Sequence, residues 1–90
     1  MSHESNRDDY LTPDQMLDKL RSCFAPLRCE ADLLEDGARV DFRIFDGEER
    51  LMRAEGTPTI HLCNPQGFQD ITGTARQMLA SRGYRLDPIA

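Results

Sequence analysis

The segment 59-TIHLCNPQGF-68 brings together an imidazole at His61 and a thiol at Cys63, two positions apart. On an extended strand, side chains at that spacing point the same way, so the pair could face a single metal ion. Structural zinc takes four ligands in ordered spacings, and the only other thiol and imidazole donors are Cys23, Cys29 and His3. Cys29 falls on the core face of a strand, Cys23 at a helix end and His3 in an N-terminal arm, so the donors do not converge. No metal and no other cofactor is expected. A nucleophile–base pair is the second option for His61 and Cys63, and it needs a stabilised thiolate with a third, orienting group. Cys63 does precede a helix start, but Asn64 competes for the same amides and no oxyanion loop is evident. The ordinary alternative is a half-buried thiol beside a surface imidazole where strand gives way to helix. That alternative is preferred, no catalytic residue is assigned, and the chain is not expected to be an enzyme.

Two other clusters carry less. Asp46, Glu48 and Glu49 lack the alternating oxygen ligands of a calcium loop and read as a solvated hairpin tip. Gly67 and Gly73 fit neither spacing of a phosphate-binding loop.

Ninety residues leave room for one domain and one core. The formal net charge is −5, with arginines interleaved among acids rather than clustered. Nucleic-acid binders neutralise phosphates with a basic patch, so no nucleic-acid partner is expected, and an acidic mimic of nucleic acid is disfavoured by the same interleaving. No apolar run approaches a membrane span, so no membrane partner is expected. The start, MSHESNRDDY, has no apolar segment of the secretory type. Three cysteines, an odd number, suit a reducing compartment. The expected location is the cytoplasm.

The elements that must position these groups follow from local signals. Residues 1–10 are polar and aperiodic, and read as a mobile arm preceding a single domain at 11–86. In 11-LTPDQMLDKLRSCF-24, Thr12 is the predicted N-cap, Pro13 the first helical residue and Gln15 the partner that closes a capping box. Met16, Leu17, Leu20 and Phe24 recur at helical spacing. Pro26 stops the helix at Ala25.

Residues 28–56 alternate with period two around two Asp-Gly pairs. A two-residue loop at Asp36-Gly37 sets Leu33 opposite Val40, Ala31 opposite Phe42 and Cys29 opposite Ile44. It also sets Asp32 against Asp41, a repulsive pair. A three-residue loop of Asp46, Gly47 and Glu48 sets Met52 against Phe42, Ala54 against Val40 and Arg53 opposite Asp41, where it offsets that repulsion. The last helix is expected from Pro65, capped by Asn64, with Phe68, Ile71, Ala75, Met78 and Leu79 on its apolar stripe and Gly83 as C′. A short fourth strand over 58–62 is an open alternative. Residues 87–90 read as a frayed tail. The order α-β-β-β-α gives a two-layer α+β sandwich, an antiparallel three-strand meander with two helices on one face.

Within this frame, 24-FAPLRCEADLLEDGARVDFRIFDGEERL-51 resembles a small bacterial family of short cytosolic proteins, known mainly from pseudomonads and only as a domain of unknown function. The run FxPLRCE, the Asp-Gly turn and the strand ending Phe-Asp carry the resemblance, which extends loosely over residues 12–82. Gly67 and Gly73 depart from the helix formers expected in that family's last helix. The resemblance implies no activity, cofactor or functional residue.

The remaining functional clue is geometric. The outer sheet face is mostly charged yet carries Leu34, Phe45 and Leu51, and a three-strand sheet has two open edges. These features point to a non-enzymatic interaction or regulatory module, binding another protein or a second copy of itself through that face or an edge. The alternative is a small-molecule or metal-binding protein using His61 and Cys63.

Overall fold

The computed structural model describes residues 10–88, so residues 1–9 of the expected arm and 89–90 of the expected tail lie outside the described residues. The fold is α+β: α1 (Pro13–Ser22), β1 (Arg28–Leu34), β2 (Arg39–Asp46), β3 (Glu49–Pro58), α2 (Thr59–Cys63) and α3 (Pro65–Ser81). The strands form one antiparallel sheet in the order β1-β2-β3.

Helix α1 begins as its cap residues dictate. The Thr12 hydroxyl accepts from the Gln15 amide at 3.2 Å, and Gln15 Oε1 accepts from the Thr12 amide at 3.0 Å. Its apolar face buries Met16, Leu17 and Leu20, and Phe24 follows at the turn to stack on Phe42 of β2 at 6.0 Å between ring centroids. The C-terminus of α3 is closed by Gly83 at φ 96°: its amide donates to the Ala80 carbonyl and the Tyr84 amide to that of Leu79. This crossed pair satisfies two carbonyls that the helix leaves open.

The β1–β2 register is the expected one, with Cys29, Ala31 and Leu33 opposite Ile44, Phe42 and Val40. The turn differs from the expected two-residue loop. Residues 35–38 all lie outside the strands, and Glu35, Asp36 and Gly37 all have positive φ.

The β2–β3 register corrects the expected three-residue loop. Asp46 pairs with Glu49, leaving a two-residue turn of Gly47 and Glu48, and two irregularities then shift the pairing. Met52 therefore faces Ile44 rather than Phe42, Ala54 faces Phe42 rather than Val40, and Arg53 faces Arg43 rather than Asp41, which its side chain still reaches. An inserted residue bends the strand and advances its register by one. The shifts leave Met52 and Ala54 packed against the core, as their apolar character requires.

Residues 59–63 are helical, which overturns the fourth strand. Gly67 makes this short helix fit. A Cβ there would fall inside contact distance of the His61 carbonyl oxygen, so α2 lies directly on the first turn of α3. The predicted stripe of α3 also shifts slightly: Thr72 is buried and Met78 is exposed. The Thr72 hydroxyl donates to the Phe68 carbonyl at 2.7 Å, which is how a polar group is accommodated there. The tail is anchored rather than frayed at its first residue, because the Asp87 amide donates to the Ala25 carbonyl at 2.7 Å.

Candidate functional site

The structure does not bring the His61 and Cys63 side chains together. On the short helix α2, residues two apart diverge by about 200° instead of sharing a face. His61 is exposed, whereas Cys63 is buried. Among the described residues, no group of three or more His, Cys, Asp and Glu is arranged to hold a metal ion. Burial also pushes all three thiols up from 9.0, Cys23 to about 11 and Cys29 to about 12. That direction is opposite to what a nucleophilic thiolate needs.

Leu34, Phe45 and Leu51 are likewise dispersed. Arg28 pairs with Phe45 and Leu34 with Arg39 at opposite ends of the β1–β2 ladder, so Leu34 and Phe45 are separated by ~20 Å of strand. The Arg28 guanidinium lies over the Phe45 ring at 4.3 Å. Leu51 is half-buried against the core. Only Leu34, 41% exposed, is open as expected.

The rest of the outer face is a lattice of paired charges. Arg43 reaches Asp32 at 2.7 Å and Glu30 at 3.7 Å, Arg28 also contacts Glu30, and Arg53 contacts Glu55 and reaches Asp41 at 3.4 Å. The facing pair Asp32 and Asp41 is thus neutralised by two different arginines. Asp41 is only 8% exposed, and its second oxygen accepts from the Gly56 amide at 3.0 Å. The arginines of this lattice are engaged with acids.

Each edge strand is guarded as well. Arg21 of α1 donates to the Ala31 carbonyl on β1 at 3.0 Å, and Arg82 after α3 donates to the Leu51 carbonyl on β3 at 3.0 Å. A side chain occupying an edge carbonyl blocks strand addition at that point.

The concave surface lies in the helical layer. A groove of about 900 Å³ runs between the second half of α1, the exposed side of α3 and the chain at Asp87. Its floor includes Phe68, Cys23 and Thr72, all buried, and its rim carries the amides of Gln69 and Gln77. Two cations flank it. Lys19 Nζ stands 5.4 Å from the Phe68 ring centroid. Arg76 donates to the Cys23 carbonyl and, at 2.7 Å, to the Asp87 carbonyl, so its charge is fixed in place. Both cations are felt at the Cys23 thiol, where each lowers the pKa against the larger effect of burial. Asp87 is the one acid among the lining residues.

No single-sequence signal marks this groove. Its members belong to two helices some 50 residues apart in the chain, and each reads as an ordinary surface or core position. No family model, no curated protein and no solved structure matches the chain. Among the described residues, no helix is long and apolar enough to cross a membrane.

Proposed function

We propose that this protein is a non-enzymatic binding module that docks a protein partner in the groove between α1 and α3. One observation carries the reading: this concavity, of about 900 Å³, is within the size range of ligand sites and pairs a buried aromatic floor with polar rim groups. The contrast with the sheet layer supports it, since Arg43 and Arg53 on the outer face are paired with acids and an arginine occupies one carbonyl of each edge strand. The raised thiols support a binding role over covalent chemistry. Three unpaired cysteines support a reducing, cytosolic setting. The resemblance of residues 24–51 to a bacterial family of short cytosolic proteins agrees with that setting.

Site-specific photo-crosslinking tests the reading. A photoreactive side chain at Gln69, on the groove rim, should capture a discrete partner in native lysate, and Lys19→Glu should abolish the product. The same group at Asp32 should capture none. Capture from position 32 alone, or from neither position, would remove the proposal.

A further inference from the structure

The groove's charges restrict what it can hold. Among the described residues the ion pairs engage Arg21, Arg28, Arg39, Arg43 and Arg53, and Lys19 is in none of them. Its ammonium instead stands over Phe68, where a cation is attracted to the ring face without using up its hydrogen-bond donors. Arg76 spends two donors on carbonyls and keeps its full charge, since a guanidinium carries five donors and does not deprotonate. Among the described lining residues, two cations stand against the single carboxylate of Asp87, a local balance of +1, in a chain whose net charge is −5. A locally positive trough on an acidic protein attracts acids at that point.

Shape narrows the occupant further. The lining positions on α3 run from Phe68 to Gln77, about 13 Å of helix, which matches roughly four residues of extended chain. The buried Phe68 ring lies beneath Lys19 and holds the ammonium at the groove, where a carboxylate can meet it. The rim amides of Gln69 and Gln77 can each donate to and accept from a peptide backbone.

We infer that the groove recognises a short acidic segment of a partner protein, in extended form, with carboxylates directed to Lys19 and Arg76. This inference rests on the docking role proposed above and names the chemistry of the partner.

The test uses the full chain and a fluorescein-labelled peptide of alternating Glu and Leu, acetylated and amidated, with a second peptide in which every Glu is Gln. Fluorescence anisotropy should show the Glu peptide binding at least tenfold more tightly than the Gln peptide, with affinity falling as salt rises. Lys19→Glu should weaken binding at least tenfold, and Lys19→Arg should restore most of it. Gln69→Glu, on the rim, should act in the same direction as Lys19→Glu. Arg50→Glu changes net charge by the same amount on exposed β3 and should have little effect, which separates local attraction from overall charge. Circular dichroism of each variant checks that it is folded.

Equal binding of the two peptides, no binding of either, or equal effects of Lys19→Glu and Arg50→Glu would overturn the inference. Tighter binding of free succinate than of the Glu peptide would overturn it too, by making the site one for small dicarboxylates. Should position 69 still capture a protein partner while the Glu peptide fails to bind, the acidic chemistry falls and the docking role stands. Loss of capture at position 69 removes both.

Discussion

The two layers of this molecule use charge in opposite ways. On the outer sheet face, Arg43 and Arg53 are spent on Asp32 and Asp41, side chains that a short register brings face to face. In the helical layer, Lys19 and Arg76 flank a concavity that holds one acid, Asp87. The difference teaches that charged residues are poor guides to function until their partners are known. An ion pair within the chain has little electrostatic attraction left for a ligand, whereas a cation beside an aromatic floor has most of it.

The contrast can be tested first through the helical layer. Gly67→Ala drives a methyl group into the His61 backbone and should cost about 3 kcal/mol, at the upper end for overpacking. Gly73 has open space around its Cβ position, so Gly73→Ala should instead stabilise by up to ~1 kcal/mol through helix propensity. Urea unfolding of the two variants reads both signs. Equal effects would mean that α2 does not rest on α3 as described, and the groove wall beginning at Phe68 would move with it.

The sheet layer offers the next largest effect. Asp41→Ala leaves the half-buried Gly56 amide without its acceptor and should cost about 1–2 kcal/mol. Asp32→Ala removes an exposed partner of Arg43 and should cost no more than ~0.5 kcal/mol. The same unfolding assay ranks them. A reversed order would show that the lattice is not organised around the buried carboxylate.

The thiols give a third check, and a pH dependence. With Cys23 and Cys29 held at about 11 and about 12, alkylation of these two thiols in the folded protein at neutral pH should run at least ~100-fold slower than that of free cysteine. Rapid modification of Cys23, which lies on the groove floor, would reopen a chemical role there. The folded chain keeps these thiol protons to higher pH than the unfolded chain does, so the stabilisation is complete below about pH 9. It is lost as pH rises toward 11 and 12, because the unfolded state then gains by ionising. Thermal unfolding from pH 7 to 11 should show that decline beginning near 9, with a shallower slope in Cys29→Ala.

Much of the fold was legible where the signals are local. Thr12, Pro13 and Gln15 announce α1 because a capping box is complete within four residues. Asn64 and Gly83 bound α3 for the same reason. The β1–β2 register followed from matching apolar faces across a turn. The β2–β3 register did not, because its two shifts move partners while Met52 and Ala54 keep their apolar face, and a period-two pattern is blind to such insertions. A fourth strand over 58–62 stayed open in the sequence, whereas residues 59–63 form a helix whose His61 carbonyl lies against Gly67 of α3. Gly67 itself looked like a weakness of α3, since propensity counts the missing side chain and not the neighbour that needs the space. The candidate site was the least legible part. His61 and Cys63 drew notice by type and spacing, whereas Lys19, Phe68 and Arg76 meet only through tertiary packing.

Chemical-shift mapping of the labelled protein during titration with the alternating Glu-Leu peptide separates the two layers in one spectrum. Amide shifts should concentrate at Lys19, Phe68, Gln69 and Gln77, with Asp32, Arg43 and Arg53 unmoved. Shifts centred on the outer sheet face, or an unchanged groove at saturating peptide, would contradict the assignment of binding to the helical layer.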